Sequence, residues 1–124
     1  MKITKFEDIE AWQLSRELSR YVYRATQTAK FSKDYGLRDQ ICRASVSVMS
    51  NIAEGFNSGS NAEFVRFLGY AQRSCAETQS QLYIAIDQDY ISENQFSEIY
   101  ELAGKTASKI GAFIKYLKLT KKSS

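Results

Sequence analysis

No proline and no histidine occur among the 124 residues. Without proline, no helix is forced to break or kink by a missing N–H. Few turn residues remain to punctuate a sheet, so an all-helical chain follows. Without histidine, the commonest general base and metal ligand is missing. The two cysteines, Cys42 and Cys75, do not make a disulfide framework in a chain of this size. Both fall on packed faces of predicted helices, as core thiols of a reducing compartment do. No apolar run approaches the length of a membrane span. Met1–Ala11 is charged and lacks the apolar core of a secretory signal, so the expected location is cytoplasmic, away from membranes. Acidic residues are absent beyond position 104, where six lysines (105, 109, 115, 118, 121 and 122) follow. The preceding part carries 11 basic against 14 acidic residues, so the lysines alone bring the net charge to +3.

What is present is helical periodicity on more than one face. In the stretch Gln40–Gly55 and just before it, Leu37, Ile41, Ala44, Val48, Ile52 and Gly55 recur at gaps of four and three. That is the seam of a helix packed along its length. Beside it runs a polar line of Gln40, Arg43, Ser47, Asn51 and Glu54. On the other flank Cys42, Val46, Met49, Ala53 and Phe56 widen the apolar arc to about half the circumference, beyond the roughly 100° stripe of a helix with one buried side.

Three further segments share this rhythm. Residues 7–30 form a first helix with the seam Ala11, Leu14, Leu18, Tyr21 and Ala25, broadened by Ile9, Trp12 and Val22 and started by Thr4 with Glu7 or by Asp8. Residues 34–56 form the second. Ser60, with Glu63 closing a capping box, starts a third that ends near Asp87, with the seam Phe64, Leu68, Ala71, Cys75, Thr78, Leu82 and Ala85. Ser92 and Gln95 cap a fourth over 93–119, with the seam Phe96, Ile99, Ala103, Thr106, Ile110, Phe113 and Leu117. Gly104, Ser108 and Gly111 line one side of it. They form either a small-residue groove that lets another helix come close or a tolerated interruption, since each interior glycine costs about 1 kcal/mol relative to alanine.

Four such helices with short connections predict an antiparallel up-down-up-down four-helix bundle over 1–119 with a basic C-terminal tail, 120–124. Heptad spacing predicts shallow left-handed crossings of about 20°. The surplus apolar area of helices two and three argues for self-association.

Candidate sites are few. Gly55-Phe-Asn-Ser-Gly59 has neither the lysine nor the preceding strand of a phosphate-binding loop, and the cysteines are not spaced for zinc. No catalytic residue, metal ligand or cofactor is therefore expected. Arg43, Ser47, Asn51 and Glu54, with Ser74, Glu77 and Gln81 of helix three, make lines that meet in adjacent antiparallel helices. Carboxylates flanking an arginine suit acid–base work, but a row of this kind more often fixes register or a subunit contact. Arg16, Arg20 and Arg24 sit four apart and make a basic row suited to phosphates, or a plain solvated helix face. Lys115, Lys118, Lys121 and Lys122 extend the basic surface, or simply suit the negative end of a helix dipole.

Phe6-Glu-Asp-Ile-Glu-Ala-Trp12-Gln, Tyr35-Gly-Leu37-Arg-Asp-Gln40-Ile-Cys-Arg43-Ala-Ser-Val-Ser47 and Asn51-Ile-Ala-Glu54-Gly55 resemble the family of four-helix-bundle proteins linked to intervening sequences in 23S ribosomal RNA genes. Glu63-Phe-Val-Arg-Phe67-Leu and Ala71-Gln-Arg-Ser74-Cys-Ala-Glu77-Thr-Gln-Ser-Gln81-Leu continue the likeness, which runs from Phe6 to about Leu117. The resemblance implies a bundle that assembles as a ring-shaped homopentamer. A related branch, the accessory protein of diversity-generating retroelements, is a more basic pentamer that binds nucleic acid and a reverse transcriptase. Where the family usually has Gly-Ser, this chain has Arg73-Ser74, which predicts looser packing there. The expected function is that of a non-enzymatic oligomeric bundle binding RNA or DNA through clustered basic residues. The alternative is an interaction scaffold that docks a partner protein and has no nucleic-acid role.

Overall fold

The computed structural model describes residues 2–120. Four helices, α1 (Glu10–Ala25), α2 (Tyr35–Phe56), α3 (Asn61–Asp87) and α4 (Glu93–Leu119), carry the fold, and there is no strand among the described residues. Each helix packs on the next and α4 returns to α1, which closes a four-cornered bundle. Side-chain pairs fix the directions. Gln81 near the end of α3 meets Gln40 near the start of α2. Asn61 at the start of α3 reaches Leu117 near the end of α4. Glu10 opens α1 opposite Lys109 of α4.

The seams of α2 and α3 are buried at every position the periodicity marked. On α4, Ile99, Ala103, Thr106, Ile110 and Leu117 are buried, while Phe96 and Phe113 are half-buried at the edges. Buried hydroxyls are answered locally. Thr78 Oγ1 donates to the Ser74 carbonyl (2.9 Å) and Thr106 Oγ1 to that of Leu102 (2.7 Å). Phe64 packs edge-to-face on both Phe56 and Phe113 and ties three helices together at one end.

The first helix differs from its expected 7–30 span at both ends. The Asp8 carboxylate accepts from the Thr4 N–H (3.0 Å), the Thr4 hydroxyl (3.1 Å) and the Lys5 N–H (3.3 Å). Phe6–Asp8 is thereby held as a 3-10 turn, and α1 starts only after the extended, buried Ile9. Neither Thr4 nor Asp8 caps α1. At the other end Thr26 Oγ1 donates to the Tyr23 carbonyl (2.8 Å) and the helix stops. The chain then turns so that Phe31 is fully buried, stacked on Tyr90 (5.1 Å, 27°). Tyr90 donates to Asp34 (2.9 Å), which also caps α2 through the Leu37 N–H (3.1 Å). The buried stripe of α1 is also rotated from the expected seam. Ser15 and Ser19 lie inside together with the expected Ile9 and Val22, while Leu14 and Tyr21 are only half-buried.

Two of the expected caps end differently. Ser92 and Gln95 form the reciprocal box at the start of α4. At α3, Ser60 accepts from the Glu63 N–H (3.2 Å), but the Glu63 carboxylate turns to Arg66 instead of closing the box.

Glycine matters where helices approach. A Cβ on Gly55 would stand 2.8 Å from Phe64 Cδ1 and 2.9 Å from Phe67 Cβ, so α2 and α3 meet there only because that atom is missing. Gly104 and Gly111 serve the chain's own α3. Gln79 Nε2 donates to the Tyr100 carbonyl (3.2 Å) and Gln72 Nε2 to the Ala107 carbonyl (3.2 Å). These two carbonyls lie one helical turn before Gly104 and Gly111. Ser108, the third member of the expected groove, is exposed.

Candidate nucleic-acid interface and the polar seam

The α2–α3 seam forms, but not as one continuous row. Ser74 Oγ donates to Ser47 Oγ (3.0 Å), and Asn51 Nδ2 donates to both the carbonyl (2.8 Å) and the hydroxyl (3.0 Å) of Ser47. Two turns away Gln81 Nε2 reaches Gln40 Oε1 (3.3 Å) and Glu77 Oε2 (3.4 Å). Arg43 and Glu54 stay exposed and join neither group. The arrangement of carboxylates about an arginine that would suit acid–base chemistry is therefore not assembled. What the seam does chemically is pair hydroxyl with hydroxyl and amide with amide across two helices. One acceptor is left over: Gln81 Oε1 is buried with no hydrogen-bond partner. Ser19 Oγ on α1 is in the same condition.

Both thiols are held toward the protonated form. Burial raises Cys75 to about 12 and also raises half-buried Cys42, whose Sγ lies 3.9 Å from the Thr26 hydroxyl. Among the described residues no group of three or more histidine, cysteine, aspartate or glutamate side chains is placed to hold a metal ion, and no helix is long and apolar enough to cross a membrane.

Arg16, Arg20 and Arg24 are exposed along the outside of α1, and none forms an ion pair among the described residues. Lys115 and Lys118 are exposed on the last turns of α4, while Lys121 and Lys122 lie outside the described residues. The sequence reading missed a second cationic corner. Between Arg20 and Arg43 stand six basic residues and only Asp34 and Asp39 as acids. Both acids are engaged, Asp34 by Tyr90 and Leu37 and Asp39 by Arg38 (3.5 Å). A count of charge along that stretch would have found it.

The apolar surplus expected on α2 is mostly absorbed within one chain. Cys42 meets Thr26 (3.9 Å), Phe56 packs on Phe64, Met49 and Ala53 are half-buried, and only Val46 is exposed. On α3 the exposed large hydrophobic side chains are Tyr83 and Ile84. Arg73, expected to loosen the packing, points outward with its guanidinium 5.7 Å from the Tyr70 ring centre, while Ser74 beside it is buried.

The model of the family described as 23S rRNA-intervening sequence protein matches residues 7–112. The chain belongs to that family. The 23S rRNA-intervening sequence match includes the arginine row and both parts of the polar seam, and it stops short of Lys115 and Lys118. Among solved structures, a protein of unknown function from the S23 ribosomal protein family of Bacteroides thetaiotaomicron superposes with a TM-score of 0.76 at 24% identity, covering 85% of this chain and 98% of that one. At that identity the likeness concerns the fold. No protein with a curated description matches the chain.

Proposed function

We propose that this bundle is a non-enzymatic, self-associating protein that binds RNA or another nucleic acid through exposed basic side chains. The observation that carries the reading is the row Arg16, Arg20 and Arg24, exposed and free of ion pairs among the described residues. Three guanidinium groups on one outer face, one helical turn apart, follow a phosphate backbone well. Lys115, Lys118, Lys121 and Lys122 add positive charge in the C-terminal part of the chain.

Assembly as a homopentameric ring would repeat these charges five times, so that modest single contacts add into useful avidity. Light scattering tests this part directly: a stable 14.1 kDa particle at working concentration overturns it. Filter binding with RNA and DNA across a salt series tests the other. Affinity is expected to fall steeply with salt, and to weaken when Arg16, Arg20 and Arg24, or Lys118, Lys121 and Lys122, become glutamine. Binding indifferent to salt removes the nucleic-acid reading.

A second reading, a scaffold that docks a partner protein, is favoured by one surface. Tyr83 (51% exposed) stands beside Phe96 and Tyr100, whose rings contact it at 4.9 and 5.8 Å. A purified partner that still binds after nuclease treatment, and is lost on Tyr83→Ala, supports that alternative.

A further inference from the structure

Where the end of α1 meets the start of α2, the surface holds a cleft of about 580 Å³ with Tyr23, Thr26 and Gln27 on one wall and Arg38, Cys42 and Arg43 on the other. Its floor carries no free charge. The Thr26 hydroxyl is donated to the Tyr23 carbonyl, and burial keeps the Cys42 thiol beside it protonated. Of the two arginines, Arg38 is already engaged. It donates to the Ser32 carbonyl (3.0 Å), lies 3.5 Å from Asp39 and covers the Tyr35 ring at 5.0 Å. Asp39, the acid that lines the cleft, is thereby matched. Arg43 is exposed and has no ion-pair partner among the described residues. Tyr23 lines the cleft and is 46% exposed. Arg20 and Arg16 lie three and seven residues before it, on the same stripe of α1.

We infer that this cleft is a subsite for single-stranded nucleic acid, in which one unpaired base stacks on Tyr23 while the flanking phosphates meet Arg43 and the α1 arginines. The inference rests on the nucleic-acid reading above and narrows it to a substrate class. An aromatic ring set among cations in a concave site is what a splayed base with its charged backbone requires. The size suits the role, since small-molecule sites run from about 300 to 1,000 Å³. A duplex keeps its bases stacked and cannot enter. Gln27, exposed on the same wall, adds an amide that can hydrogen-bond a base edge. The cleft beside Ile9 and Phe113 lacks this combination, since it is lined by Lys109, whose charge is matched by Glu10.

The test compares a labelled oligouridine of about a dozen nucleotides with a duplex of mixed sequence, by fluorescence anisotropy over a salt series on the full chain. The single strand should bind more tightly. Tyr23→Ala should weaken it by about fivefold or more, and Tyr23→Phe should restore it, since stacking needs the ring and not the hydroxyl. Arg43→Gln should weaken binding and reduce the salt slope by about one. If Tyr23→Ala melts early, ultraviolet crosslinking of the unmodified chain to a 4-thiouridine oligomer decides instead. An adduct between residues 23 and 43 supports the subsite, and adducts confined elsewhere overturn it. Duplex bound as tightly as single strand, or a folded Tyr23→Ala that binds like the parent, overturns the subsite and leaves the nucleic-acid reading standing. No salt-dependent binding of either form removes both.

Discussion

Helix α3 carries polar side chains on both flanks, and the two are used in opposite ways. Toward α4, Gln72 and Gln79 reach main-chain carbonyls of the neighbouring helix over glycines that leave them room. A carbonyl keeps a second lone pair after its own helical bond, so this flank is complete within one chain. Toward α2, side chain meets side chain: Ser74 with Ser47, Gln81 with Gln40 and Glu77. Such pairs satisfy one another only in part, and Gln81 Oε1 is left over. The flank bonded to main chain is closed, while the flank bonded through side chains stays open, with one buried acceptor unanswered. A buried amide in a bundle is answered more completely where its neighbour offers a backbone atom.

The strongest way to break the contrast is Gly55→Ala on the open flank. The added carbon would stand within 3.3 Å of the Phe64 carbonyl as well as against both phenylalanine side chains, so α2 and α3 must separate. A loss of about 1–3 kcal/mol is expected despite the gain of about 1 kcal/mol in helix propensity, measured by urea unfolding. A neutral result would mean that this flank has slack. Ser74→Ala should follow at about 1 kcal/mol, because Ser47 keeps Asn51 but loses its link to α3. A double-mutant cycle with Ser47→Ala isolates the pair, and zero coupling would show that the two hydroxyls do not communicate.

The closed flank should respond in the other direction. A Cβ at Gly104 meets only Gln79 Nε2 at 3.4 Å, so Gly104→Ala should stabilise by about 0.5–1 kcal/mol. At Gly111 the distance to Gln72 Nε2 is 3.0 Å, and displacing that amide should cancel most of the gain. Equal melting temperatures for the two variants would deny the glutamines their role. The smallest effect is expected from pH. Asp8 is held below the usual carboxylate range, chiefly by the Thr4 N–H, and Glu63 by its hydrogen bond from Arg66. A depressed folded-state value means stability that is present above the ordinary carboxylate range and fades as pH falls through it. Both groups are fully exposed, so thermal melts between about pH 5 and pH 3 should show a shallow decline with no sharp step.

The four helices were legible because each seam steps by gaps of four and three, a pattern that needs no knowledge of neighbours. The span of α1 was not. Asp8 competes for its own upstream backbone, and Phe31 draws the following turn inward, both decisions made outside the helix. The rotated face of α1 was hidden because Ser15 and Ser19 read as surface residues, although both are buried. On the candidate site, the polar lines were visible as lines. Which members touch depends on register between helices, so Arg43 and Glu54 could not be told from Ser47 and Asn51. Gln72 and Gln79 were missed for a related reason: an amide at a helix edge looks solvated unless the glycine opposite is read with it.

The two glutamines stand seven residues apart, as do the glycines they cover. They therefore act as a pair of keys cut to the same pitch. Sliding α4 by one turn sets both amides against side chains instead of open carbonyls, and sliding it by two turns leaves only one key engaged. The bundle has a mechanical reason to prefer one alignment of its last helix among several that its greasy stripe would tolerate.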